Sequence, residues 1–336
     1  MKRVDIFNPN GDDSFEGQSI LDGNPTGIAN KDVNRYTWTK DIYRKMVGNF
    51  WIPQSVDLTT DKITKKNLTE DEDYAVEATL SFLIYLDNFQ VANLPNISQY
   101  ITNPHIRDVI SYQAGQEVVH SESYQYILES LYPQSKRDKI YNMWRKNKNL
   151  LNRNQSIAKI AQDFLNEQSD YNFKRVLVAN LALEGIYFYQ GFNFFDQLAS
   201  RKCLIQTDKI IDYIRNDELT HVGIFVNILK EVGVDESVVF EVFDEAVESE
   251  IKWCSDVYGD KILGISSKSS EDYVRYLADD RLARIGLASR YGSNGVDPYR
   301  HITDSKKPQG TRGNFFEDAA ITEYDSADSV DGWDDL

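Results

Sequence analysis

This sequence contains little cysteine, no long apolar run and no excess of basic charge. Its 336 residues include only two cysteines, Cys203 and Cys254, and their separation matches no metal-ligand motif. We expect two reduced, buried thiols, which excludes a disulfide scaffold and a zinc finger. No segment approaches the roughly 18 consecutive apolar residues that a membrane-spanning helix needs, so we expect no membrane segment.

The charge balance is acidic, with 53 Asp and Glu residues against 37 Lys and Arg residues and a formal net charge of −16. A surface with this excess repels phosphate groups, which excludes nucleic acid as a partner. The first residues, Met-Lys-Arg-Val-Asp, do not lead into the apolar region of a secretory signal. We therefore expect a cytoplasmic protein.

Histidine is also scarce, but two of the four histidines follow a glutamate by three residues. These pairs are Glu117 with His120 and Glu218 with His221. Residues three apart share one face of a helix, so each pair directs a carboxylate and an imidazole the same way. Two such helices packed face to face would supply four ligands to a pair of metal ions.

Two further carboxylates, Asp87 and Glu184, stand alone in apolar helical segments, and each precedes one of the Glu-x-x-His pairs by roughly thirty residues. Acidic side chains are rarely buried unless they are paired or bind a metal. In the alternative interpretation each one points out of an otherwise buried helix, which requires a coincidence at four positions. The repeated pattern predicts a di-iron or di-manganese carboxylate site.

Helical periodicity runs through most of the chain, and no segment alternates as a β-strand does. Thr69 and Glu72 have the spacing of a capping box, so a helix should begin there, and Pro95 should end it. Asn103 and Pro104 should cap and begin the helix that carries Glu117. The other predicted helices cover about 37–47, 136–148, 155–168, 171–200, 206–231, 236–258 and 269–288. We predict an all-α fold, a single large helical bundle.

Composition divides the chain into three parts. Residues 1–35 are rich in Gly, Asn and Asp and should form an N-terminal arm, residues 36–290 the helical di-metal domain, and residues 291–336 a flexible segment. The last fourteen residues, 323–336, contain six acids and no base, so this tail should be disordered alone. Its apolar residues, among them Tyr324, would suit a groove on a partner protein. A merely solubilising tail is the alternative.

Tyr124 follows His120 by four residues and should lie one turn further along the metal-facing side. Phe188 and Phe192 follow Glu184 at helical spacing, and Ile214 precedes Glu218 in the same way, so all should project into one interior volume. An apolar wall around a phenol excludes the water and reductants that would quench a phenoxyl radical. On its own, this aromatic pattern is typical of an ordinary core.

Together these motifs resemble the small, radical-generating subunit of class I ribonucleotide reductase, of bacterial or phage type. The resemblance extends from the Asn49-Phe-Trp51 segment to the acidic tail. It implies a ferritin-like bundle with extra helices, in which Tyr124 holds the radical and Phe188, Phe192 and Ile214 shield it. It also implies the ligands of two metals: Asp87, Glu117 and His120 nearer the tyrosine, Glu184, Glu218 and His221 for the other, with Glu117 and Glu218 bridging.

The resemblance implies partners as well. Trp51, Asp217 and His120 would pass an electron between the metal site and the surface, and Tyr324 would relay it to a cysteine of the large catalytic subunit. A separate catalytic subunit also agrees with the absence of a dithiol motif and of an evident nucleotide site. The family further implies a homodimer. Iron is the expected metal, and manganese would require a flavodoxin-like or ferredoxin-like activator.

Two departures from the family pattern and two alternative functions remain. Asn216 stands where many relatives have arginine, with Arg215 one place earlier, and Glu122 adds a carboxylate near the site unless it faces solvent.

A di-iron oxidase or hydroxylase component would use the same ligands with a substrate channel in place of Tyr124. A ferritin-like storage protein would use them without redox catalysis.

Overall fold

Helices dominate the computed structural model, which describes residues 1–302. No residue in that range belongs to a β-strand, and the all-α prediction is confirmed. The α-helices are α1 (Trp38–Gly48), α2 (Thr59–Thr64), α3 (Glu70–Ser98), α4 (Pro104–Leu131), α5 (Gln134–Ile140), α6 (Lys148–Asn166), α7 (Asp170–Ala182), α8 (Tyr189–Ser200), α9 (Ile205–Val232), α10 (Glu236–Val257) and α11 (Ser267–Arg284). A π-helical turn, Leu183–Tyr187, separates α7 from α8.

The two long helices α3 and α4 begin at the predicted caps. The Thr69 hydroxyl accepts a hydrogen bond from the N–H of Glu72 at 3.2 Å, and the Glu72 carboxylate accepts one from the N–H of Thr69 at 2.9 Å. Asn103 caps α4 in a similar way. The predicted stop at Pro95 is wrong, because α3 continues through it to Ser98. Buried side chains on both sides of the proline hold this last turn against the core, so packing overrides the local signal.

The segment predicted as one helix over 136–148 is also different. It forms α5 and then a 3₁₀ turn at Met143–Arg145, and α6 begins several residues earlier than predicted. The break follows from Asn147, whose side chain accepts a hydrogen bond from the N–H of Leu150 at 3.0 Å and caps α6. The short helix α2 was not predicted at all.

The core of the bundle lies where α3, α4, α7 and α9 pack together. Apolar residues from all four helices are completely buried there, among them Leu83, Leu86, Ile110, Ile127, Leu181 and Phe225. Burying each such side chain stabilises the fold by roughly 2 kcal/mol. This packing fixes the relative positions of the helices that carry the predicted metal ligands.

Residues 1–35 contain no helix, as predicted, and lie against the ends of α3 and α4. The N–H of Val4 donates to the carbonyl of Gln99 at 2.8 Å, and the N–H of Thr102 donates to the carbonyl of Ile20 at 2.7 Å. Among the helices of residues 1–302, none combines the length and the apolar character that a bilayer crossing requires.

Candidate metal centre

Six ionisable side chains meet at the centre of the bundle, and all six are completely buried. Helix α3 supplies Asp87, α4 supplies Glu117 and His120, the π-helical turn supplies Glu184, and α9 supplies Glu218 and His221. Their ligand atoms form two groups, each within 4.8 Å: Asp87 with Glu117 and His120, and Glu117 with Glu184, Glu218 and His221. The structure therefore brings together every residue predicted as a metal ligand.

The glutamates of the two Glu-x-x-His pairs lie between the two histidines. Glu117 places Oε2 3.4 Å from Nδ1 of His120 and Oε1 3.2 Å from Nδ1 of His221. Glu218 places Oε1 3.0 Å from Nδ1 of His120 and Oε2 2.9 Å from Nδ1 of His221. Each glutamate thus faces each imidazole with a different oxygen, as a carboxylate that bridges two metal ions must.

Burial and mutual repulsion shift the pKa values of the site carboxyl groups. Burial raises the pKa of Asp87 well above its ordinary value of 3.8, and the neighbouring Glu117 carboxylate raises it further. The same two causes raise the pKa of Glu184 well above 4.5. Burial would also raise the pKa of Glu218, but the charge of His221 together with hydrogen bonds to Glu184, His120 and His221 outweighs burial and lowers that pKa. Because a metal binds these groups as carboxylates, metal uptake favours the release of protons from them.

Both histidines are strongly basic in this surrounding. Burial would lower the pKa of His120, but hydrogen bonds to Asp217, Glu117 and Glu218 outweigh it and raise the pKa well above 6.5. Burial is likewise outweighed at His221, whose pKa the charges on Glu218 and Glu117 raise. Because histidine binds a metal as neutral imidazole, metal uptake would release these protons too.

The buried carboxylate oxygens of the site show where positive charge is needed. Both carboxylate oxygens of Asp87 are buried and have no hydrogen-bond partner among the described residues. The buried oxygens Oε2 of Glu117, Oε2 of Glu184 and Oε1 of Glu218 lie 3.4, 3.6 and 3.0 Å from imidazole nitrogens. Burying carboxylate oxygens without partners is costly, and a divalent cation removes that cost. Carboxylate and imidazole ligands suit Fe(II) and Mn(II). The residues present therefore fit a pair of such ions.

Two buried glutamines that sequence reasoning missed orient the Glu184 carboxylate. Gln113 Nε2 donates to Oε1 of Glu184 at 2.9 Å and to Oε1 of Glu117 at 3.3 Å, and Gln90 Nε2 also donates to Oε1 of Glu184. Helical spacing is the signal that would have found them. Gln90 follows Asp87 by three residues and Gln113 precedes Glu117 by four, so each shares a face with a ligand.

The outer nitrogens of the two histidines face different groups. Nε2 of His120 lies 3.2 Å from Oδ2 of Asp217, which also accepts a hydrogen bond from Nε1 of Trp51 at 3.0 Å. Trp51 is 7% exposed, so this chain of hydrogen bonds leads from His120 toward the protein surface. Nε2 of His221 instead lies 3.2 Å from the side-chain oxygen of Gln116.

Tyr124 is completely buried, and its hydroxyl forms no hydrogen bond with any described residue. Burial, followed by the charge of Asp87, raises the pKa of this phenol well above 10.0, so it remains protonated. Phe188, Phe192 and Ile214 are also completely buried, and the rings of Phe188 and Phe192 stack with centroids 6.0 Å apart. The phenol therefore lies in the buried interior of the bundle.

The remaining predicted positions are distant from the ligands or outside residues 1–302. Glu122 is exposed and accepts a hydrogen bond from Nε2 of Gln54 at 2.7 Å, so it adds no charge to the site. The Arg215 guanidinium is buried and donates to both carboxylate oxygens of Asp196 at 2.8 Å. Tyr324 lies beyond the described residues.

Comparison with known proteins agrees with this geometry. A family model described as ribonucleotide reductase, small chain, matches residues 32–298. The subunit beta of ribonucleoside-diphosphate reductase from Treponema pallidum is 36% identical over 307 residues, which are 89% of this chain and 88% of that protein. The R2 subunit structure from Clostridium botulinum has a TM-score of 0.85 and 39% identity, covering 90% of this chain and 98% of that one. The dimanganese(II)-NrdF structure from Streptococcus sanguinis, with a TM-score of 0.71 over 82% of this chain and 98% of its own, is 20% identical and shares the fold alone. This chain belongs to the family of ribonucleotide reductase small chains.

Proposed function

We propose that this small subunit of ribonucleoside-diphosphate reductase uses a di-metal centre and O2 to generate and store a radical on Tyr124. Small subunits of the family form dimers and act with a large subunit. The observation that carries the proposal is the position of Glu117 and Glu218, each with one oxygen beside each histidine. The buried phenol of Tyr124, which forms no hydrogen bond within residues 1–302, lies on the same helix as one of these pairs.

Six residues would hold two ions, most simply iron. Asp87, Glu117 and His120 would bind one ion, Glu184, Glu218 and His221 the other, and Glu117 and Glu218 would bridge them. When bound, the metal pair supplies, with O2, the oxidising power to remove an electron and a proton from a phenol. Manganese fits the same ligands and would need a flavodoxin-like or ferredoxin-like activator.

The surroundings of Tyr124 preserve the radical once it has formed. Burial excludes water and external reductants. The high pKa of the phenol means that an electron and a proton must leave together, and that both must return when the radical is consumed. Phe188, Phe192 and Ile214 offer no group that exchanges protons, so the apolar interior delays that return.

The hydrogen-bonded residues His120, Asp217 and Trp51 would connect the centre with the large subunit. An electron would move inward along this path from a cysteine thiol of the large subunit and reduce the Tyr124 radical to the phenol. The cysteine would become a thiyl radical, which starts the reduction of the ribonucleotide. The tail within 291–336, with Tyr324 as a relay, would dock on the large subunit and complete the path.

Electron paramagnetic resonance tests this proposal. Metal-free protein would be loaded anaerobically with Fe(II) and exposed to O2, in parallel with a Mn(II) sample and with Tyr124→Phe. We expect a tyrosyl signal with iron that is absent from the variant, although the variant still binds two ions per chain. A signal of equal size in Tyr124→Phe would place the radical elsewhere. Two bound irons without any radical would favour manganese and an activator, and would refute assembly from iron and O2 alone.

A further inference from the structure

The metal ligand Glu184 lies in the π-helical turn Leu183–Tyr187 rather than in a regular α-helix. A π turn shifts the backbone hydrogen bonds by one residue and is rare, because regular α-helical pairing is more favourable. Contacts from the rest of the protein must therefore hold the turn. In this structure the contacts come from arginines.

Two buried arginines donate hydrogen bonds to backbone carbonyl groups inside the turn. Nε of Arg281, on α11, donates to the carbonyl of Gly185 at 3.2 Å. Nη2 of Arg153, on α6, donates to the carbonyl of Tyr187 at 2.7 Å. Both side chains are completely buried. The turn is thus held from two helices that are far from it in sequence.

Each guanidinium group is also fixed by its own neighbours. Arg153 forms a buried ion pair with Glu250 of α10, and its guanidinium carbon lies 4.1 Å from the ring centroid of Tyr187. The guanidinium carbon of Arg281 lies 5.0 Å from the ring centroid of Tyr189. Burying an arginine is unfavourable unless its charge is paired, and the carboxylates of Glu250 and Asp280 pair with Arg153 and Arg281 respectively.

Gly185 shows how closely Arg281 approaches the turn. A Cβ atom at this position would lie 2.8 Å from Nε and 3.0 Å from Cγ of Arg281. The arginine therefore fills the space that a side chain of residue 185 would occupy. The absence of a side chain at Gly185 is therefore what allows Arg281 to reach the turn.

We propose that Arg281 and Arg153 are positioning residues that hold the π turn in the register that directs Glu184 at the metal pair. The inference rests on the proposed di-metal function. Relaxation of the turn to an α-helix would rotate Glu184 relative to α8 and withdraw its carboxylate from the donors Gln90 and Gln113. The ion that Glu184 binds would then lose a ligand, whereas the ion near Asp87 would keep all of its ligands.

The test is a titration of metal-free full-length protein with Mn(II), followed by electron paramagnetic resonance and by metal analysis. Wild type would be compared with Arg281→Met, which keeps the apolar stem and removes the donors. Arg290→Met is the matched control, because Arg290 is an exposed arginine that forms its ion pair with Asp244, away from the turn. Thermal unfolding of each metal-free variant would be recorded beside the titration.

We expect wild type and Arg290→Met to bind two ions per chain and to show the signal of a magnetically coupled pair. Arg281→Met should bind the first ion normally and the second at least tenfold more weakly, as expected when the support of a ligand is lost. Its spectrum should therefore contain the six-line signal of isolated Mn(II) where the wild type shows the coupled signal. Arg153→Lys, which keeps the charge but loses the fork of donors, should give a smaller change of the same kind.

A second variant, Gly185→Ala, disrupts the same contact by changing residue 185 instead of Arg281. Its Cβ should displace Arg281 and weaken the second ion as Arg281→Met does. The double variant should be no worse than either single variant, because the hydrogen bond that each change removes is already lost in the other. Such strong non-additivity is the signature of two residues that act through one contact.

The possible outcomes distinguish the proposed di-metal function from the positioning role of Arg281. A wild type that binds no coupled pair would refute the proposed di-metal function itself. A wild type that binds the pair, with Arg281→Met binding it equally well, would overturn the positioning role alone. Equal weakening of both ions together with loss of cooperative unfolding would also overturn it, because it would show a general structural effect. Additive losses in the double variant would contradict the shared contact.

Discussion

The two halves of the metal site contain similar ligands but are supported in different ways. In one half, neither carboxylate oxygen of Asp87 has a hydrogen-bond partner among residues 1–302, and Asp217 stands behind His120. In the other half, glutamines hold Glu184, and the neutral amide of Gln116 stands behind His221. The first half is backed by a charge and the second by neutral amides.

In the proposed function, this difference would give the first half a role in electron transfer and the second half a role in positioning the metal. A carboxylate behind a ligand histidine increases the basicity of the imidazole and continues the path through Trp51 toward the surface. An amide behind a histidine fixes the orientation of the ring but does not take up a proton. We infer that the Asp87 half communicates with the large subunit, and that the Glu184 half mainly determines how the second ion is held.

The largest expected effect comes from removing Glu117, one of the two glutamates that belong to both halves. Glu117 faces both histidines, so Glu117→Ala should abolish binding of the ion pair, whereas Asp87→Ala should remove only the ion on its own side. Metal analysis after gel filtration measures both. Equal retention of one ion by the two variants would show that Glu117 does not bridge, and the halves would then be independent sites.

Removing the side-chain group behind either histidine should have a smaller effect, and the affected property should differ between the two variants. Asp217→Asn removes the charge behind His120, and turnover with the large subunit should fall by about 10- to 100-fold while two ions still bind and Tyr124 is still oxidised. Gln116→Leu removes the amide behind His221 and should instead weaken the second ion by about tenfold. Radical yield, metal affinity and turnover measured on the same samples distinguish the two. If both variants lose the same property, the division of roles is wrong.

Local periodicity made the clustering of the six proposed ligands predictable, because residues three or four apart share a helix face wherever the helix lies in the fold. The capping box at Thr69 was predictable for the same reason. The π turn was not, because it depends on Arg153 and Arg281, whose contacts with residues 185 and 187 arise only through tertiary packing. Pro95 shows the converse, since packing carried the helix through a residue that usually ends one.

The smallest expected effect is on the pH dependence of the metal-free protein. Asp87, Glu184 and both histidines have pKa values raised above 3.8, 4.5 and 6.5 in the folded state, so that state binds more protons than the unfolded chain. Their contribution to stability is complete below these ordinary values and is lost as pH rises through the raised ones. The lowered pKa of Glu218 acts in the opposite direction, but only below its ordinary value of 4.5. The melting temperature of metal-free protein should therefore fall as pH rises from weakly acidic to weakly alkaline.

Metal should reverse this trend, because the ligands bind as carboxylates and neutral imidazoles and release protons. The same measurement of melting temperature against pH, made on Asp87→Asn and Glu184→Gln, compares the two halves of the site. Amide donors favour the charged form of Glu184, whereas Asp87 has none, so Asp87 should contribute more to the slope. Asp87→Asn should flatten the metal-free curve of melting temperature against pH more than Glu184→Gln does. A larger flattening by Glu184→Gln would mean that the amide groups do not stabilise the Glu184 carboxylate. The difference in hydrogen bonding between the two halves would then have no electrostatic consequence.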